Sequence, residues 1–159
     1  MKYLIIVVII IIVIVLSILV LNNYKNKNYK IENIKSISYS GITGMSMYSN
    51  YRYEIVKKDG KYIATVKFDN EEEESTFEVE EKDVKELEKK LNEYKVSRWN
   101  GFDKVDKRVL DGYSFSFSIH LDNEKEVYAH GYMKYPKRYS EVSGYLHSYF
   151  KESFERRKK

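Results

Sequence analysis

Tyr3 to Leu21, YLIIVVIIIIVIVLSILVL, is nineteen residues without a charge, almost all of them Ile, Val or Leu. As a helix it spans roughly 28 Å, about the hydrocarbon thickness of a bilayer. A helix suits such a run in lipid, because it satisfies every backbone N–H and C=O internally. No polar face is present, so the stretch does not read as a surface or core helix of a globular domain. We therefore expect a transmembrane anchor over residues 1–21. A cleaved signal peptide is the rival. Its apolar core is usually shorter, about 7 to 15 residues, and ends at small residues. Here Asn22-Asn23-Tyr24 follows instead.

Two sequence rules disagree about orientation. Lys25, Lys27, Lys30 and Lys35 flank the far end of the run and only Lys2 the near end. Counted literally, that bias holds the rest of the chain in the cytoplasm. A two-residue polar leader before an apolar run is instead the form of an exported signal-anchor. Usage rich in Ile, Lys, Asn and Tyr and poor in Ala and Pro suggests an AT-rich bacterial genome, and we adopt the second: a single-pass protein of a bacterial cell membrane with its soluble domain extracellular. A cytoplasm-facing domain lying on anionic lipid is the alternative.

The net charge of +4 comes from the ends. Lysines crowd the polar tether, residues 22–30, and Arg156-Arg157-Lys158-Lys159 form a basic tail, while the body between is mildly acidic. That is not the one-faced basic stripe of a nucleic-acid binder, so no nucleic-acid partner is expected. Basic ends do suit anionic headgroups, where each Lys or Arg is worth about 1 kcal/mol. With no Cys, disulfides and thiolate metal sites are excluded.

Residues 31–155 are long enough for one domain. Ile34 to Ser40 alternates and reads as a first strand broken by Gly41 to Gly44. Asp59-Gly60, flanked by alternating apolar residues, marks a two-residue hairpin that pairs Lys58 with Lys61 and Ile55 with Ala64. Asp69 to Glu74 is an acidic loop, and Phe77 and Val79 mark a third strand. From Glu81 to Lys95, Val84, Leu87, Leu91 and Tyr94 fall on one side of a helix. Residues 98–113 read as a structured loop carrying the only Trp, Trp99, buried where the loop crosses the sheet, with Phe102 beside it. Asp103, Asp106 and Asp111 read as turn-formers within it. Tyr113 to Leu121 alternates without a fault, and Lys125 to Met133 answers it in a second hairpin. Beyond Pro136, Ser140 is an N-cap, and Val142, Tyr145, Leu146, Tyr149 and Phe150 form the stripe of a closing helix. The fold expected is α+β: an antiparallel sheet of about five or six strands with two hairpins, and two helices packed on one face.

The segments SRWNGFDKVDKRVLDGYSFSFSIHL and YAHGYMKYPKRYSEV make residues 36–150 resemble a family of uncharacterised cell-envelope proteins of clostridia and related Firmicutes. Members look like W-D-G-F, then L-D-G-x-S-F, then A-x-G-Y-x-x-Y-P-x-x-Y. The chain departs from that pattern in Asn100, where the family tends to have Asp, and in lacking a lipidation Cys. The resemblance implies a place in the envelope and a shared fold. It implies no activity and no functional residues.

The second hairpin sets Ser116 opposite His130 and His120 opposite Glu126. The first pair has the residue types of a nucleophile and its base, the second those of a proton relay or metal site. All four project from the polar face, and no nucleophile turn or oxyanion signature accompanies them. We therefore expect no cofactor, no metal and no catalysis. An envelope hydrolase using Ser116 and His130 is the rival. Tyr128 and Tyr132, on the same polar face, are the candidate binding residues, because tyrosine offers large area and a hydroxyl at low entropic cost. The function expected is a non-catalytic binding or interaction module with an unidentified protein partner.

Overall fold

The computed structural model describes the backbone of residues 2–43, 50–68 and 73–157, and within these the side chains of 6–21, 28–42, 50–68 and 73–157. Gly44, Asp69 to Glu72 of the expected acidic loop, and Lys158-Lys159 of the basic tail lie outside the described residues. Helix α1 (Lys2–Lys27) holds the apolar run and continues through the first residues of the expected tether. The part of it with described side chains is Ile6 to Leu21. Among the described residues no helix is long and apolar enough to cross a membrane.

The rest is α+β. Among the described residues seven strands make one sheet: β1 (Ile34–Thr43), β2 (Tyr51–Lys58), β3 (Lys61–Lys67), β4 (Ser75–Val79), β5 (Phe102–Val105), β6 (Tyr113–Leu121) and β7 (Glu126–Tyr132). Their order is β4-β3-β2-β1-β6-β7-β5. Helices α2 (Glu81–Glu93) and α3 (Tyr139–Arg157) cover one face. Both hairpins have the expected register. Lys58 faces Lys61 and Ile55 faces Ala64 across β2 and β3. Ile119 faces Val127 and Phe117 faces Ala129 across β6 and β7. Asp59 and Gly60 both take positive φ, as a primed two-residue turn requires.

Two features correct the expected sheet of five or six antiparallel strands. The first is β5, which lies within the expected loop and pairs parallel to β7, so the sheet has seven strands and is mixed. It is an edge strand with three of its four residues exposed, so it needs no apolar alternation and leaves no periodic trace. The second is β1, which passes through Gly41 instead of ending there and pairs with β2 on one side and β6 on the other. A Cβ at Gly41 would stand 2.2 Å from the Tyr113 hydroxyl and 2.6 Å from the Tyr51 ring. The glycine makes room for two tyrosines rather than for a turn.

The helices bury the expected stripes: Val84, Leu87 and Leu91 from α2, and Val142, Leu146, Tyr149 and Phe150 from α3. Two polar residues of α2 do something the stripe did not suggest. The Ile34 N–H donates to Glu88 Oε1 at 2.9 Å. The Asn92 side chain both accepts from Ile31 N–H and donates to Ile31 C=O, each at 2.8 Å. These bonds fix the chain where it enters the domain. Glu88 is 5 % exposed, and Lys85 lies 3.1 Å from its second oxygen, so the buried carboxylate is both hydrogen-bonded and paired.

Trp99 ends a single 3-10 turn, Val96–Trp99, and is 2 % exposed. Its ring lies 5.3 Å from that of Phe117 and 6.0 Å from that of Tyr139, and its indole N–H donates to the Lys137 carbonyl at 3.1 Å. Phe102 is only half-buried. Trp99→Ala removes this plug from between sheet and helix, and the expected loss is about 3 to 5 kcal/mol of unfolding free energy in urea titrations. A variant with unchanged stability would show that the indole is not a packing element.

Candidate functional site

The sheet face away from the helices carries the residues singled out from the sequence. Ser116 faces His130, and His120 faces Glu126, in the register expected. No hydrogen bond joins Ser116 to His130. The imidazole instead puts Nδ1 3.1 Å from Oδ1 of Asp103, its neighbour on β5. His120 Nδ1 is 3.7 Å from Glu126 Oε2, with both side chains more than half exposed. Among the described residues, no group of three His, Asp or Glu is placed to hold a metal ion. Tyr128 is 52 % exposed. Tyr132 is half-buried and donates its hydroxyl to the Leu110 carbonyl at 2.7 Å, which holds the 106–112 loop. Asp106, taken from sequence as a turn-former, gathers Arg108 at 2.7 Å and Lys134 at 3.1 Å, and these hydrogen bonds and charges hold its carboxyl well below the usual range.

Between sheet and α3 lies a second polar assembly that sequence reasoning missed. Tyr39 donates its hydroxyl to Ser143 at 2.6 Å and lies 3.0 Å from the hydroxyl of Tyr139. Tyr139 in turn donates to Tyr113, whose hydroxyl meets that of Tyr51. Tyr53 reaches Nδ1 of His147 at 2.8 Å. The rings fill the core while their hydroxyls satisfy one another, which is what buried tyrosine needs. Alternation in the strands showed which way these residues point, but nothing local pairs a β1 hydroxyl with a residue about a hundred positions later on α3.

The third feature is a cleft of about 480 Å³ at the β5 end of the molecule, between the end of α2, the 96–99 turn, β5 and the loop from β7 to α3. Tyr94, Trp99, Phe102 and Tyr135 supply aromatic walls. Lys95, Arg98, Lys104, Lys137 and Arg138 supply five cations, and no carboxylate lines it. Arg138 is already engaged: it donates to the Glu93 carbonyl at 3.0 Å, lies over the Tyr94 ring at 4.7 Å and pairs with Glu141 at 3.4 Å. The other four have no carboxylate partner among the described residues. Lys95, Met133 and Arg138 around this region have positive φ, so their backbone directions are set by packing rather than by preference. In sequence the cleft comes mainly from YKVSRW and KYPKRY, two runs that interleave aromatics with cations, with Phe102 and Lys104 added from β5. Each run alone looks like an ordinary amphipathic surface.

Compared with known protein families, with curated proteins and with solved structures, the chain finds no match.

Burial lifts the Tyr39 hydroxyl from the usual 10.0 to about 12, and pushes those of Tyr51 and Tyr139 up as well. The fold stabilises the protonated forms, so the unfolded chain loses these protons first. Stability is therefore full below pH 10 and falls as the pH rises toward 12. The slope is about 1.4 kcal/mol per pH unit for each tyrosine kept protonated in the fold. Urea titrations at pH 8, 10 and 11 should show the decline, and Tyr39→Phe should make it shallower by one tyrosine's share, leaving that of Tyr51 and Tyr139. A stability constant across that range would mean that these hydroxyls are solvated.

Proposed function

We propose that the chain is a single-pass protein of a bacterial cell membrane, and that its domain is a non-catalytic binding module at the outer face. The observation that carries this is the surface of α1. From Ile6 to Leu21 every large apolar side chain is 48 to 68 % exposed, so no other described element covers this part of the helix. A sleeve of Ile, Val and Leu on that scale, far beyond the apolar patches of soluble monomers, calls for lipid around it. The resemblance read from the sequence over residues 36–150 implies the same location. The binding role rests on the cleft, which joins aromatic area to four cations without a carboxylate partner among the described residues, and on the exposed ring of Tyr128.

An envelope hydrolase is the second reading, and one observation favours it. Ser116, His130 and Asp103 lie in a row across β6, β7 and β5, the residue types of nucleophile, base and orienting acid. Against it, Ser116 and His130 are not hydrogen-bonded, Asp103 is well exposed, and none of the three lines the cleft.

The topology test uses intact cells. The full chain should stay with membranes through carbonate extraction. Added protease should remove the domain without lysis. Extraction into the supernatant would sink the anchor. Survival of the domain until lysis would place it in the cytoplasm. Ester hydrolysis by the purified full chain that disappears in Ser116→Ala would replace the binding module with the hydrolase.

A further inference from the structure

Arg98 stands at the meeting point of α1 and the cleft. Its Nε donates to Oδ1 of Asn28 at 2.7 Å, one residue beyond the end of α1, while its side chain lines the cleft. If Tyr3 to Leu21 fills the hydrocarbon, Asn28 lies roughly 10 Å further along, at the level of the headgroups. The cleft therefore opens beside the headgroup layer and not at the far pole of the domain. We infer that it is a lipid site: Lys95, Arg98, Lys104 and Lys137 hold the phosphodiester of an anionic phospholipid headgroup, with Trp99 and Tyr135 packed beside it. This rests on the membrane reading above and adds a ligand to it.

Three observations converge. The four cations lack carboxylate partners among the described residues and lie together in one cleft, whereas others on the domain's surface have one, such as Lys61 with Glu78 and Lys90 with Glu93. A phosphodiester offers the negative charge and acceptor oxygens that such a group lacks. Arginine supplies a planar fork of donors and lysine a mobile point charge, and both serve phosphate. Aromatic rings with one apolar and one polar edge settle at the same depth of a bilayer as that phosphate. The site is also tied to the anchor by the Arg98–Asn28 bond, so lipid held in it would fix the tilt of the domain over the membrane.

The test uses the full chain reconstituted with phosphatidylcholine and phosphatidylglycerol, and measures two things. Flotation with vesicles of phosphatidylcholine alone reports the anchor. The ratio of phosphatidylglycerol to phosphatidylcholine retained after mild detergent extraction reports the cleft. In the doubly reversed variant Lys104→Glu/Lys137→Glu the enrichment should fall roughly tenfold while flotation stays intact. Arg98→Gln should lower it less. An anchored chain with no enrichment, or with enrichment unchanged in the double variant, overturns the lipid site and leaves the anchor standing. A chain that does not float overturns the membrane reading first. Displacement of the lipid by millimolar glycerophosphoglycerol, at equal phosphate, would make the ligand a soluble phosphodiester and overturn the headgroup assignment.

Discussion

Tyr39 is the residue about which the sheet and α3 are assembled. It lies on β1, the strand paired on both sides, and is 1 % exposed. A buried phenol costs free energy unless its hydroxyl has a partner. Ser143 and Tyr139 supply one from α3, so the helix has a fixed position along the strand and cannot slide. Neighbouring tyrosines extend the same bargain sideways through Tyr51 and Tyr113, and Gly41 leaves the space they occupy. Apolar contacts alone would hold the helix on the sheet, but with little preference among shifted placements. The hydroxyls select one.

The entry to the domain is held in a similar way. Glu88 and Asn92 of α2 hydrogen-bond the backbone at Ile34 and Ile31, and Arg98 bonds Asn28. The chain leaving α1 is thus attached within a few residues to both α2 and the 96–99 turn. The consequence is mechanical. Whatever surrounds α1 bears on the wall of the cleft over a short, hydrogen-bonded path, and not across a slack linker. The cleft and the end of α1 therefore lie on one side of the domain.

Much of the fold was legible because it rests on local spacing. The alternation of Tyr113 to Leu121 and the Asp59-Gly60 turn gave the two hairpins and their registers. The spacing of Val84, Leu87 and Leu91 gave α2, and that of Val142, Leu146 and Phe150 gave α3. The candidate site was legible only in fragments. Ser116 opposite His130 followed from the hairpin, but the bond from His130 to Asp103 did not, because β5 is an exposed edge strand with no period. Nor did Glu88, which sits on the margin of a helix stripe and looks like any surface carboxylate until β1 is laid beside it.

What the sequence by itself determined is what neighbours along the chain decide: an uncharged run of nineteen residues, two hairpins, two amphipathic helices and an α+β domain. The tertiary structure alone decided that β1 is inserted between two hairpins that both follow it, that β5 pairs parallel to β7, and that YKVSRW and KYPKRY share one cleft. These are meetings of segments dozens of residues apart, made by polar and aromatic side chains. Hydrophobic periodicity says which face of an element is buried. It does not say which other element will cover that face, and the cleft exists only in that second choice.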